Sequence, residues 1–367
     1  MQRGIPCMLI RGGTSKGAYF LASDLPSDPA LRDRVLLAVM GSPDKRQIDG
    51  LGGAHPLTSK VAIVAPSTAP DCDIDFLFAQ IGIDEPKVDT TPNCGNILAG
   101  IGPFALARGL IHAHDPRMIV RVRTLNTGTI ADLALEIENG QAKTEGVARI
   151  DGVPGTSAPI AISFLDTEGS VCGALLPTGN SVDVLDGIPC TLIDNGMPVI
   201  VLRASDVDRT GYETVEALNK DSELKSRLER IRLAAGPLMN LGDVASKVVP
   251  KIALVAPPLN GGTISSRSFI PHECHAAIGV FAAVSVATAA ALPGTPAASV
   301  APMPQGRERL VSVEHPTGEF SVNLIVGGSA EKPVVEKAGL LRTARILMDG
   351  KAFVSGAVFA DLENEDQ

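Results

Sequence analysis

The chain repeats itself, and that repetition limits its fold more than any other feature. GIPCMLIRGGTSKGAYFLASD at 4–24 returns, one residue shorter, as GIPCTLIDNGMPVIVLRASD at 187–206. SKVAIVAP at 59–66 returns as PKIALVAP at 250–257, and NTGTIADLALEI at 126–137 as PTGEFSVNLIVG at 316–327. The order is kept, at offsets of 182 to 191 residues. One such match means little; three in register indicate a duplicated domain. Two halves are expected, 1–182 and 183–367, with the last strand packing back on the first half and an active site in the cleft between them. At 367 residues the chain also exceeds what one compact core usually holds.

Each half reads as the same series of elements. CMLI and AYFL are apolar strand runs around a Gly-rich turn, so a β-hairpin opens the half. A polar helix follows, Pro29 to Met40 in the first half and a longer one, roughly Tyr212 to Ala235, in the second. KVAIVA or KIALVA then reads as a Val/Ile-rich strand. An apolar helix comes next: GNILAGIGPFALARGL in one half, HAAIGVFAAVSVATAAAL in the other. Alternating strands such as DLALEIEN and FSVNLIV close each half. A helix apolar on every side has to be wrapped. The expected fold class is therefore α/β, two pseudo-symmetric halves, each a curved, mostly antiparallel sheet around a central apolar helix.

Composition excludes several functions. The formal charge is −9 and no basic cluster stands out, which argues against nucleic acid or an anionic membrane as partner. The six cysteines are scattered without a CxxC, and MQRGIPCMLI lacks the apolar core of a signal peptide. A reducing, cytoplasmic setting with free thiols is expected. The longest apolar run, Ala276 to Leu292, carries Ser285 and Thr288 and reads as a buried core helix rather than a membrane span.

Four segments hold residues that could do chemistry. Aligning Pro92 with Pro271 sets PNCGNILAG against PHECHAAIG, with Cys94 opposite Glu273. Both central helices are then expected to start with an ionisable cluster, where unpaired N–H groups bind carboxylates and favour a thiolate. Cys94 as a buried small hydrophobe is the alternative, but Asn93, Gly95 and Asn96 are poor packing residues. Lys60 opens a core strand after DGLGGAHPLTS. There it is either a half-dry base, with glycines letting backbone approach a ligand, or a snorkelling surface lysine. RGGTSKG at 11–17 contains Gly-x-Ser-x-Gly, but a strand follows rather than a helix, so Ser15 is no hydrolase nucleophile. The turn either grips a carboxylate or is an ordinary turn. HECH at 272–275 has no partner cluster and is weak for zinc, so no metal and no cofactor is expected.

RGGTSKG, DGLGGAHPLTSKVAIV, NCGNILAGIGPFAL, LLPTGN and TLIDNGMP resemble the PrpF-like isomerases, across nearly the whole chain. That family includes 2-methylaconitate cis–trans isomerase and 4-oxalomesaconate tautomerase. MGSPDKRQIDG, SFIPHECHA and RTARILMDG look closer to the oxalomesaconate enzymes of gallate and protocatechuate breakdown. The resemblance implies a diaminopimelate-epimerase-like fold and cofactor-free proton transfer, with Lys60 and Cys94 as the active pair. It implies ligand contacts at Arg11, Thr14, Ser15 and Lys16 of the first turn, at Ser59, at Asn93, Gly95 and Asn96, and at Ser266, Arg267 and His272. Epimerases of this fold use two cysteines in matching positions; here Glu273 holds the second, with Cys274 displaced by one residue. The expected activity is proton transfer on 4-oxalomesaconate, a small tricarboxylate, as a keto–enol or 1,3-allylic shift. The rivals are 2-methylaconitate isomerisation, a two-cysteine amino-acid racemase, and a non-catalytic tricarboxylate-binding protein. A homodimer is the default oligomer.

Overall fold

The computed structural model describes residues 1–113, 116–165, 167–328 and 333–362. The chain divides into two compact units, Met1–Ser163 with Leu341 onward, and Phe164–Leu340. Residues 164–182, expected in the first half, thus belong to the second unit. They are tied there by Asp194, whose Oδ2 accepts from the amides of Val171 and Cys172 at 2.8 and 2.7 Å.

In the first unit β1 (Gln2–Gly12) and β2 (Ser15–Leu21) form the expected hairpin. Then come α1 (Pro29–Met40), β3 (Lys60–Pro66), β4 (Ile74–Ile81) and β5 (Val88–Asp89). The central segment is α2 (Gly95–Leu98) plus α3 (Ile101–Ala107). β6 (Arg117–Thr124), β7 (Ile130–Glu138), β8 (Gln141–Ala142) and β9 (Ile160–Phe164) follow. The bounds of α1 are those expected, and its caps explain why. Asp28 accepts from the Leu31 amide at 2.7 Å, Pro29 opens the helix, and Gly41 closes it at φ 75°.

The second unit repeats the series. β10 (Asp183–Leu185) leads into the hairpin of β11 (Ile188–Asp194) and β12 (Pro198–Arg203). α4 (Val215–Lys220), α5 (Ser222–Leu238), β13 (Lys251–Ala256), β14 (Ile264–Phe269) and α6 (Val280–Ala291) follow. β15 (Glu308–His315), β16 (Gly318–Gly328) and β17 (Pro333–Arg342) end the series. β18 (Ala344–Ser355) then pairs antiparallel with β1. The pairing pattern is the same in both units. The second strand of each hairpin runs parallel to β3 or β13, which is antiparallel to β4 or β14, which is parallel to β6 or β15.

Three helices differ from expectation, each for a local reason. The single helix expected over Tyr212–Ala235 is α4 and α5, because Asp221 stops one and caps the next by accepting from the Leu224 amide at 3.0 Å. The helix from Gly95 is broken at Ala99–Gly100. Pro103 has no N–H to offer the carbonyl four residues back, and Gly109 in the left-handed region ends the second piece at Ala107. α6 begins at Val280. Its residues from Ala282 to Ala291 are all buried, as expected of a core helix, and it packs on β11, β12 and β14 to β16. Ser285 and Thr288 satisfy their hydroxyls against the β11–β12 turn, at Met197 and Asn195. Among the described residues, no helix is long and apolar enough to cross a membrane.

Candidate active site

Lys60 is the first residue of β3, flanked by Gly17 of β2 and Gln80 of β4. It is only 7% exposed. Its Nζ donates to Gln80 Oε1 at 2.5 Å and stands 5.0 Å from the centroid of the Phe78 ring. Burial pushes the amine below lysine's ordinary value, and Cys94 acts in the opposite sense. Lys60 is therefore a buried amine in the field of the Cys94 thiol, not a snorkelling surface cation.

Cys94 is half-buried and occupies the N-cap of α2, where its carbonyl accepts from the Leu98 amide at 2.9 Å. Tyr19 holds this short helix by donating its hydroxyl to the Ile97 carbonyl at 2.6 Å. Asn96 ties it to the first turn and to a distant strand end. Its Nδ2 donates to Thr14 Oγ1 at 2.9 Å and Ser15 Oγ at 3.3 Å, and its Oδ1 accepts from Arg342 Nε at 3.0 Å. Arg342 is buried; burial lowers it to about 10, and Cys94 opposes the shift.

The glycines of RGGTSKG are explained by this packing. A Cβ on Gly12 would lie 2.2 Å from the Asn96 carbonyl oxygen, and one on Gly17 would lie 2.7 Å from that of Lys60. The glycines of DGLGGA are also required by close packing. A Cβ on Gly50 would strike the backbone of Gly41 and Met40, and one on Gly52 the side chain of Gln47. Gln47 is buried and organises that loop, donating to Ser42 and Ser59 and accepting from the Ala54 amide.

The first turn also carries a row of positive charge. Arg11 lies opposite Lys16 on β2 and opposite Arg345 on β18. All three line a cavity of about 300 Å³ with Thr14, Ser15 and Thr58; Lys60 and Cys94 do not line it. Arg11 is lowered by burial and then by Arg345, and it spends Nη1 on Gly13 and Thr343. Ser59 is fully buried, with its hydroxyl engaged by Gln47 at 2.7 Å and the Ile81 carbonyl at 3.0 Å. Asn93 donates to Thr127 and Thr124, and its buried Oδ1 has no partner among the described residues.

The remaining candidates lie in the second unit. Ser266 is buried and donates to the Glu314 carbonyl at 2.8 Å. Arg267, also buried, donates to the Glu213 and Ser266 carbonyls. His272 is exposed, with Nδ1 3.5 Å from Glu229. HECH does not start a helix, contrary to the expected symmetry with NCGN. Instead Cys274 bridges back to Phe269, and the His275 amide donates to the Ser268 carbonyl, so the chain doubles back on β14 before α6 begins. Glu273 is paired with Lys225 at 2.6 Å. Cys274 is buried and pushed up to about 11. No group of three metal-ligating side chains occurs among the described residues.

Over residues 2–355 the sequence matches the family described as "PrpF protein". The chain belongs to the PrpF family. The (4E)-oxalomesaconate Delta-isomerase of Novosphingobium sp. (strain KA1) is 58% identical over 349 residues, 95% of this chain and 97% of the relative. The 4-oxalomesaconate tautomerase of Pseudomonas putida (strain KT2440) is 57% identical, over 95% of this chain and 96% of its own. The crystal structure of a methylitaconate-delta-isomerase matches with a TM-score of 0.85 at 38% identity, covering 98% of this chain and 97% of that one. The two-half α/β fold and the isomerase class expected from the sequence both stand. In this PrpF chain the sequence reading missed Arg342, Tyr19 and Gln80. Arg342 stood in view inside RTARILMDG; Gln80 is the polar interruption of the otherwise apolar FLFAQI.

Proposed function

We propose that this PrpF-family isomerase moves a proton on 4-oxalomesaconate, with Lys60 and Cys94 as the acid–base pair. The observation that carries the reading is that α2, with Cys94 at its N-cap, packs against β3, which the buried Lys60 opens. The relatives at 57% and 58% identity supply the substrate class. One group removes a carbon-bound proton made acidic by the neighbouring keto and carboxylate groups, leaving a dienolate. The other returns a proton to oxygen, giving the enol, or to a second carbon, giving the allylic isomer. Atoms and charge balance without a cofactor. Arg342 fixes Asn96 beside Cys94 at the start of α2, and the Lys16–Arg11–Arg345 row offers positive charge to a substrate carboxylate. A homodimer, a cytoplasmic setting and a place in aromatic breakdown belong to the same reading.

The 2-methyl-aconitate isomerase of Cupriavidus necator, 35% identical, keeps the neighbouring reaction in play. The two-cysteine racemase is disfavoured by Cys274, a buried thiol pushed up to about 11. Proton NMR of 4-oxalomesaconate and of 2-methylaconitate in D₂O with the enzyme separates the two isomerase readings from each other and from a non-catalytic binding protein. Deuterium entry and product formation on the first substrate are expected. Preference for methylaconitate, or binding without exchange, contradicts the proposal.

A further inference from the structure

Gln80 faces Lys60 directly across the antiparallel register of β4 and β3. Its amide is locked. Nε2 donates to the Pro56 carbonyl at 3.1 Å and to the Ser59 carbonyl at 2.9 Å. Both amide hydrogens are thereby used, and only Oε1 faces Lys60 Nζ. The flipped amide would set donor against donor at Lys60 and oxygen against two carbonyls, so the network itself assigns the orientation.

We infer that Gln80 is the positioning residue of Lys60: its amide oxygen holds one N–H of the side chain and brings no charge that would keep the proton on it. The inference rests on the proposed proton-transfer role of Lys60. An amide oxygen only accepts, and both ammonium and neutral amine carry N–H groups, so the contact survives either half of a proton-transfer cycle. A carboxylate at this place would favour the ammonium through an opposite charge. An apolar side chain would leave a buried N–H without a partner. The other surroundings of Lys60 are accounted for. β2 contributes Gly17, which has no side chain, and β4 contributes the Phe78 ring. Ser59 is turned to Gln47 and Ile81. Among the described residues, Cys94, from the start of α2, is the titratable group that bears on Lys60.

Two variants separate positioning from mere packing. Gln80→Glu places an anion beside the amine, and the limb of the kcat/KM profile governed by Lys60 is expected to rise by about one pH unit or more. Gln80→Met removes the acceptor at similar length; kcat is expected to fall about tenfold or more, with KM within about threefold and the Lys60 limb moving down. Competitive acetylation of Lys60 across pH, read on its peptide by mass spectrometry, reports the same shifts without substrate. Melting curves show whether each variant is folded. If the wild-type enzyme does not turn over 4-oxalomesaconate but the acetylation profiles shift as stated, the reaction assignment fails and the positioning role stands. A folded Gln80→Glu with an unmoved acetylation profile overturns the inference. Should Gln80→Glu not fold, an unmoved profile in Gln80→Met does so.

Discussion

Arg342 donates its Nε–H to Asn96 Oδ1 at 3.0 Å, across 246 residues of sequence. The bond joins the end of β17 to the helix that Cys94 caps. Through Thr14 and Ser15, the same asparagine also fixes the tip of the first hairpin. One amide thus registers three distant pieces of chain around the thiol, and a buried guanidinium comes with it.

Arg342→Leu removes the donor from which Asn96 Oδ1 accepts. Losing a hydrogen bond from a charged, buried donor should cost about 1–3 kcal/mol in a denaturant titration, and turnover should fall with it. Arg342→Lys keeps the charge but loses the planar fork, and should recover part of the stability. Unchanged stability and turnover in Arg342→Leu would remove this bond from the account of the site.

Lys60→Met and Cys94→Ala each delete one member of the pair. A group placed for acid–base work contributes on the order of 10²–10⁴ in rate. Each variant should lose at least about a hundredfold in kcat with its melting curve still cooperative. Near-normal turnover in either one rejects the pair.

What the sequence disclosed follows from the range of the interactions. The duplication, both hairpins and α1 were legible because repeats, strand alternation and caps are written within a few residues of each other. The break at Gly100 was foreshadowed by Pro103, but the need for glycine there comes from Tyr19, whose hydroxyl would lie 2.4 Å from a Cβ at that position. The late start of α6 was hidden because HECHAAIG looks helical until Cys274 bridges to Phe269. Lys60 and Cys94 were reached through their odd local settings and the family resemblance. Arg342 and Gln80 act through a contact 246 residues away and a strand register; RTARILMDG and the polar break in FLFAQI mark the residues but not their partners.

Gly12 tests how tightly the hairpin tip and Asn96 are packed. A Cβ there would lie 2.2 Å from the Asn96 carbonyl oxygen, which is backbone and cannot swing aside. Gly12→Ala should cost about 1–3 kcal/mol by overpacking and should lower activity more than a surface Gly→Ala such as Gly350→Ala, where nothing stands within 4 Å. Denaturant titration and turnover of the two variants side by side check this. Equal effects would mean the hairpin tip moves freely relative to α2.

The depressed amine of Lys60 makes a prediction about stability as well as rate. Burial lowers its folded-state value below the 10.5 of an ordinary lysine, so the unfolded chain binds the proton more tightly than the folded one. The cost of burying the ammonium is then present in full below the folded value. It is relieved as pH rises through that value and is gone above 10.5, so in this window the group makes stability rise with pH. Lys60→Met removes the cost. It should melt above the wild type at neutral pH, with the gap closing as pH approaches 10.5, while activity is lost, a trade expected where a functional group is held in an unfavourable site. Lys251, also lowered by burial, should show the same sign in Lys251→Met. Thermal scans of the three proteins from neutral to alkaline pH decide it: a Lys60→Met variant that melts below the wild type at neutral pH, or a gap that widens with pH, contradicts the buried-amine account of the site.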